Sequence, residues 1–120
     1  MLFRSDAGTI EVAFSATDQF LNPAGVIQGG FVAAMLDDTM GPAVLLKSGG
    51  HVFTSTIDLR VSYLAPAKIG AFVGEGRVVQ IGKTIAFAEA KLVDAEGRLV
   101  ATATTSARVI ETGKLDGTKM

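Results

Sequence analysis

The chain of 120 residues carries 11 basic and 12 acidic side chains, one histidine and no cysteine. These counts exclude disulfides, thiol nucleophiles and cysteine metal sites, and they leave no basic face for a nucleic-acid backbone or a membrane surface. Hydrophobic residues make up 48% and mean hydropathy is +0.40, high for a small monomer and suited to an oligomer that hides apolar surface between copies.

The length fits one domain over residues 1–120. The opening residues Met1 to Asp6 lack the apolar centre of a signal peptide. The longest apolar run is interrupted by Asp37 and Asp38 and is too short to span a bilayer. A cytoplasmic location is the expectation.

Residues 8–14 alternate apolar and polar and predict a first strand. Thr17-Asp18-Gln19 opens a polar connection to the turn signal Asn22-Pro23. A loop to Gly30 follows, and a helix starts near Gly29 or Gly30 and runs into the mid-forties. Phe31, Val32, Met35, Leu36, Met40, Val44 and Leu45 cover more than one face, so this helix is expected to be buried on most sides. Pro42 is expected to kink it or break its bonding near Asp38. Lys47-Ser48-Gly49-Gly50 ends it, with a cation in the last turn and glycines beyond.

Four strands follow. The second, Val52 to Leu64, places Phe53, Ile57, Leu59, Val61 and Tyr63 on one side and Thr54, Thr56, Asp58, Arg60 and Ser62 on the other. Pro66 and Gly70 bracket a turn. The third, Ala71 to Gln80, has Gly74 and Gly76 on one face, a sign of bending or close approach of another backbone. Gly82-Lys83 turns into the fourth strand, Thr84 to Val93. Asp94 to Gly97 turns into the fifth, Leu99 to Val109. Ala86, Ala88 and Ala90 share a face, as do Ala101, Ala103 and Ala107. Faces this small admit a thick object, and the apolar helix is the only one available. The expected fold is α+β: a curved antiparallel sheet of about five strands wrapped around one long helix, with a frayed polar tail over residues 111–120.

Three local features carry chemistry. Gly29-Gly30 at a helix start exposes unpaired N–H groups that can stabilise an oxyanion, an interaction worth about 3–4 kcal/mol in a transition state; a plain glycine-rich turn is the alternative. Asp37 and Asp38 lie in the middle of the apolar segment, and burying a charge without a partner is costly. One of them can serve as general base or nucleophile. In the structural alternative, one pairs locally while the other is solvated beside Pro42. Adjacent helical residues point about 100° apart, so the two do not form a shared-proton dyad. Asn22 can orient a water or a carbonyl, or simply serve the turn before Pro23. His51, at a strand entrance, reads as a surface histidine. Gly82-Lys83-Thr84 lacks the upstream glycine of a phosphate loop, Gly74-Glu75-Gly76 lacks the third glycine of a dinucleotide fingerprint, and no His/Asp/Glu cluster has metal-ligand spacing.

The run Asn22-Pro-Ala-Gly-Val-Ile-Gln-Gly-Gly, followed by Met35-Leu-Asp-Asp-Thr-Met-Gly, resembles the hotdog-fold acyl-CoA thioesterases of the phenylacetic-acid-degradation (PaaI-like) type. That family carries Asn, a Gly three residues on, His-Gly-Gly, and an acid eight after the first paired glycine. Thr56 to Gly70, with its Pro-Ala turn, is similar to the family's second-strand signature, and the likeness spans roughly residues 8–110.

The resemblance implies an acyl-CoA thioesterase acting on a medium-sized or aromatic acyl thioester, with no metal or cofactor. It places Asp37 rather than Asp38 on the catalytic acid, Gly29 on the N–H that polarises the thioester carbonyl, and Asn22 on a residue that positions water or acid. Thr56 falls on an assisting hydroxyl, with Ser55 as the fallback if the register slips. Gln28 stands where the family usually has His, so it can brace or donate a hydrogen bond but cannot titrate near neutral pH. Gly30 is placed beside the substrate, and Lys83, Arg60 and Arg77 are candidates for CoA phosphates. The implied assembly is a homodimer or homotetramer with active sites at the subunit interface, where Asp37 and Thr56 of one chain face Asn22 and Gly29 of the other. A non-catalytic acyl-CoA-binding protein is the alternative suggested by Gln28. A hotdog hydratase or dehydratase ranks behind it, because His51 is off the position such enzymes need.

Overall fold

Small side chains on one sheet face let a helix lie against it, and that contact organises the molecule. The computed structural model describes residues 3–6 and 9–115. In chain order the elements are β1 (Phe3–Asp6), β2 (Thr9–Ala16), a 3-10 turn (Asp18–Phe20), α1 (Gly29–Lys47), β3 (Val52–Tyr63), β4 (Gly70–Ile81), β5 (Ile85–Asp94), β6 (Leu99–Glu111) and a closing 3-10 turn (Thr112–Leu115). All strand pairs are antiparallel, in the order β1-β2-β4-β5-β6-β3. The α+β expectation of a sheet around one long helix holds, and α1 contacts each of β2 to β6.

The helix buries a stripe made of Val32, Met35, Leu36, Thr39, Met40, Ala43 and Val44, the three-and-four spacing of one helical face. The sheet meets it with Phe72, Ala86, Ala88, Ala90, Leu92, Val100, Ala101, Ala103 and Ala107. Gly74 and Gly76 are where the approach is closest. A Cβ on Gly74 would lie 2.1 Å from Thr39 Oγ1, and one on Gly76 2.9 Å from Thr39 Cγ2. The buried Thr39 hydroxyl donates to the Met35 carbonyl at 2.8 Å, so it is satisfied within the helix.

The helix runs unbroken through Pro42 and ends as its sequence indicates, with Gly49 and Gly50 at φ +70° and +85°. The predicted hairpins also form. Gly82 N–H donates to Ile85 O at 2.8 Å. Asp94 Oδ1 accepts from the N–H groups of Glu96 and Arg98 at 3.0 and 2.9 Å, which holds the Asp94 carboxyl below its ordinary pKa, with the Arg98 charge adding to the effect.

Four expectations need correction. The helix is fully buried on its sheet-facing stripe only; Phe31, off that stripe, and Leu46, in the last turn, are exposed. The alternation in β3 breaks at Ile57, which is bulged out of the pairing between Thr56↔Ala107 and Asp58↔Ser106. Val52, Thr54 and Thr56 therefore face the helix before the bulge, and Leu59, Val61 and Tyr63 after it. Phe53 falls on the outer side, and Ile57 is 60% exposed. The amino end adds a strand, β1, outside β2. Finally, Glu111 pairs with Val52, and Thr112 donates through its N–H to His51 O and through Oγ1 to Gly50 O, so the tail is anchored as far as that turn. Asp116 to Met120, and Gly8 of the predicted first strand, lie outside the described residues.

Candidate active site

Asp37 sits in the middle of α1, half-buried, one position off the buried stripe. The β3 bulge turns Thr56 toward it, and Thr56 Oγ1 donates to Asp37 Oδ1 at 3.0 Å. One carboxylate oxygen is thus fixed and Oδ2 is left for other partners. Asp38 turns outward and is exposed. Its carboxyl is nonetheless pushed above the ordinary value, first by the partial loss of water around it and then by the charge of Asp37. The two acids have separate environments, as their angular offset requires, and the hydroxyl partner belongs to Asp37.

The second group of residues gathers at the start of α1. Gln28 occupies the cap position in an extended conformation and provides no side-chain cap. Its carbonyl accepts from the N–H groups of Phe31 and Val32 at 2.9 and 3.3 Å. The Gly29 and Gly30 N–H groups have no acceptor within the helix and lie at the positive end of its dipole. The loop before them is closed by Asn22, whose Oδ1 accepts from Ala24 N–H at 2.9 Å and Val26 N–H at 3.3 Å. Asn22 is therefore a loop brace through its oxygen, with the amide nitrogen outside those contacts. Ile27 N–H to Ala67 O at 2.7 Å and Gln28 N–H to Phe20 O at 2.8 Å fasten the loop to its surroundings. The rings of Phe20 and Phe31 meet with centroids 4.6 Å apart, forming an aromatic wall beside the paired glycines.

One contact at this end was not foreseen. The Tyr63 hydroxyl donates to the Gly29 carbonyl at 2.8 Å. Strict alternation puts Thr56 and Tyr63, an odd number of residues apart, on opposite faces of a strand; the bulge brings both to the helix. An apolar Ile57 next to Asp58, after Thr54-Ser55-Thr56, was the only sequence sign of that irregularity.

The two groups do not meet within one chain. Asp37 follows Gly29 by eight residues on the same helix, a separation of about 12 Å along the axis. Other candidates lie apart from both. Ser55 alternates to the side of β3 opposite Thr56, so it does not substitute for it. Arg60 lies between the inward-facing Leu59 and Val61 and so points to the outer sheet face. Arg77 also faces outward, paired with Glu89. Lys83 is exposed in the β4–β5 hairpin, and His51 is exposed at the entrance to β3. A shallow groove of about 930 Å³ crosses the outer sheet face, lined by Glu11, Glu75, Arg77, Glu89, Lys91 and Thr104 among others. Its charges pair with one another across strands, as in Lys91 to Glu75 at 3.2 Å, and neither Asp37 nor Thr56 lines it. Among the described residues no group of three His, Asp or Glu side chains is placed to hold a metal, and no helix is long and apolar enough to cross a membrane.

The profile of the thioesterase superfamily matches residues 24–101, which span the Gln28–Gly30 turn, α1 and β3 to β5. The chain belongs to that superfamily; it has the hotdog fold and is a thioester hydrolase. It is similar to human acyl-coenzyme A thioesterase 13, with 30% identity over 96 residues that cover 78% of this chain and 68% of that protein. A solved phenylacetic acid degradation-related protein of Ralstonia eutropha JMP134 superposes with a TM-score of 0.80 at 36% identity, covering 89% of this chain and 83% of that one. The Streptococcus mutans protein smu.793, solved bound to acetyl CoA, shares the fold at 24% identity and TM-score 0.80, covering 91% and 87%.

Proposed function

We propose that the protein hydrolyses a medium-sized or aromatic acyl-CoA to the free acid and CoA, at a site built from two copies of the chain. The observation that carries this reading is the Thr56–Asp37 hydrogen bond of 3.0 Å, which fixes one oxygen of a half-buried carboxylate and frees the other. The thioester carbonyl rests on the Gly29 N–H at the helix start, with Gly30 beside it, and charge developing on its oxygen is held by those donors and the helix dipole. Asp37 Oδ2 takes a proton from an attacking water or attacks the carbonyl carbon directly. In either case the C–S bond breaks and CoA leaves as thiolate; in the first route the thiolate takes up the proton held by Asp37, and in the second a water hydrolyses the acyl–Asp37 anhydride, releasing the acid and restoring the carboxylate. Single turnover in ¹⁸O-water separates the routes: label in the Asp37 carboxyl marks direct attack.

The separation of about 12 Å along one helix argues for two copies, because Asp37 and Gly29 of the same chain cannot both touch one reacting carbonyl. The sheet order supports the same reading. β3 pairs only with β6 among the described strands, so its other edge is open over residues 52–63, and such long edges invite pairing with another chain. Exposed Ile57, Tyr63 and Leu64 line that end of the molecule. The acyl class is supported by the Phe20–Phe31 wall beside Gly29 and by the description of the Ralstonia relative. Asn22 and Gln28 brace the loop that presents the glycines, and a carboxamide at 28 suffices where the role is orientation. Cytoplasmic location and a PaaI-like reaction context belong to the same proposal.

The test is thiol release from an acyl-CoA panel, aliphatic and arylacyl, by the wild type and by Asp37→Ala. Turnover that depends on Asp37 is expected. An Asp37→Ala protein as active as wild type removes Asp37 from the reaction. Tight CoA-ester binding without turnover by either protein turns the reading to a binding protein.

A further inference from the structure

We propose that Tyr63 is a positioning residue for the reaction: its hydroxyl anchors and polarises the peptide that aims the helix-start N–H groups at the thioester oxygen. This rests on the thioesterase reading above and adds a residue that the sequence motifs did not single out.

The geometry is specific. Tyr63 Oη donates to the Gly29 carbonyl at 2.8 Å across 34 residues of sequence. The Gly29 C=O and the Gly30 N–H belong to one planar peptide and point in opposite directions. A hydrogen bond accepted by the carbonyl fixes the plane and draws electron density toward the oxygen, which makes the N–H on the other side a stronger donor. The same bond fixes residue 29 itself, and with it the Gly29 N–H. The contact also accounts for glycine at this position: a Cβ on Gly29 would lie 3.2 Å from the Tyr63 hydroxyl oxygen and 3.3 Å from Cζ. Side chain and hydroxyl compete for one space, and glycine leaves it to the hydroxyl.

The bulge at Ile57 makes this arrangement possible. It lets one strand present Thr56 to Asp37 and Tyr63 to Gly29, so β3 holds both half-sites of a helix whose two reactive regions face different copies. Each chain's acid and its oxyanion donors, which serve two different sites, are thus both braced by one strand. Tyr63 does not touch substrate in this scheme; it acts through the Gly29–Gly30 peptide.

Tyr63→Phe keeps the ring and removes the hydroxyl. For an active wild type, kcat is expected to fall about three- to tenfold, the range of one neutral hydrogen bond, with KM for acyl-CoA changed by less than about twofold because the lost interaction matters in the transition state. The ¹³C carbonyl resonance of Gly29 and the amide resonance of Gly30 should both shift upfield in the variant, a readout independent of turnover. An unchanged Gly29 carbonyl resonance, or wild-type kcat in Tyr63→Phe, overturns the proposal while leaving the thioesterase reading intact. A rise in KM at constant kcat overturns it as well, since that marks ground-state binding. A wild type inactive on every acyl-CoA defeats the functional reading and this role together, and is distinguished by the wild-type assay alone.

Discussion

The start and the middle of α1 solve different problems with the same strand. At the start the chemistry is in the main chain: Gly29 and Gly30 offer N–H groups that no intrahelical acceptor takes up, and Tyr63 grips the adjoining carbonyl. In the middle it is in a side chain, Asp37, with Thr56 on one of its oxygens. Backbone donors can be removed only by changing the conformation or by proline. A carboxylate is removed by any substitution. The mutational signatures of the two regions should therefore differ in kind as well as in size.

The largest effect is expected at the middle. Asp37→Ala should lower kcat about 10²- to 10⁴-fold, the range for loss of a positioned acid or base, with the melting temperature little changed because the residue is half-buried and off the packed stripe. Next comes the start. Gly29→Pro deletes one N–H at the first helical position, where proline's φ fits. Gln28 before it is already extended at φ −59° and ψ 140°, as a residue preceding proline must be. The exposed Tyr63 ring has only to give by a few tenths of an ångström. A fall in kcat of about 10²- to 10³-fold with the fold retained is the expected outcome, read by thiol release beside circular dichroism. A Gly29→Pro enzyme with wild-type kcat would show that the Gly29 N–H takes no part in the reaction.

The helix face toward the sheet provides the contrast to both. Gly74→Ala places a methyl 2.1 Å from Thr39 Oγ1, and such overpacking costs about 1–3 kcal/mol. Denaturant melts should show lost stability, and any loss of turnover should track the unfolded fraction. The smallest effect is at Asp38. Its raised pKa means that the folded state binds protons more tightly than the unfolded chain, so its contribution is intact below the ordinary carboxylate pKa and is lost as pH rises through the folded value. Asp38→Asn should therefore stabilise the fold slightly at pH 7, by less than about 1 kcal/mol given its exposure to water, seen as a small rise in melting temperature, and not at all below about pH 4.

Much of this was legible in the sequence because it is local. Gly29-Gly30, Lys47 and Gly49-Gly50 mark the helix ends. The alternating alanines, with Gly74 and Gly76, predict a face that a helix can press against, and Thr39 is found pressed there. The spacing from Gly29 to Asp37 already separates the two half-sites. What alternation could not give is pairing. The bulge at Ile57 depends on the register of β3 against β6, so the inward side of Phe53 and Ile57 was misassigned and the Tyr63–Gly29 contact was missed. The one-sided burial of α1 was misjudged for a related reason: apolar Phe31 reads as core by residue type, yet it lies off the sheet-facing stripe and is 38% exposed, with Phe20 on one side of its ring. Lys83, Arg60 and Arg77 illustrate the limit of residue type alone. Two of them face the outer sheet surface and one sits in a hairpin, a placement that charge counting does not reveal.

The central claim, that each site joins Asp37 of one copy to the helix start of another, is tested most directly by complementation. Asp37→Ala and Gly29→Pro, each inactive alone, are unfolded together, refolded as a mixture and assayed for acyl-CoA hydrolysis. In a mixed two-fold dimer one site carries both defects and the other carries neither, so random pairing should restore about a quarter of wild-type activity. A mixture as inactive as its components, with mixed dimers present, would contradict the account and return both groups to a single chain.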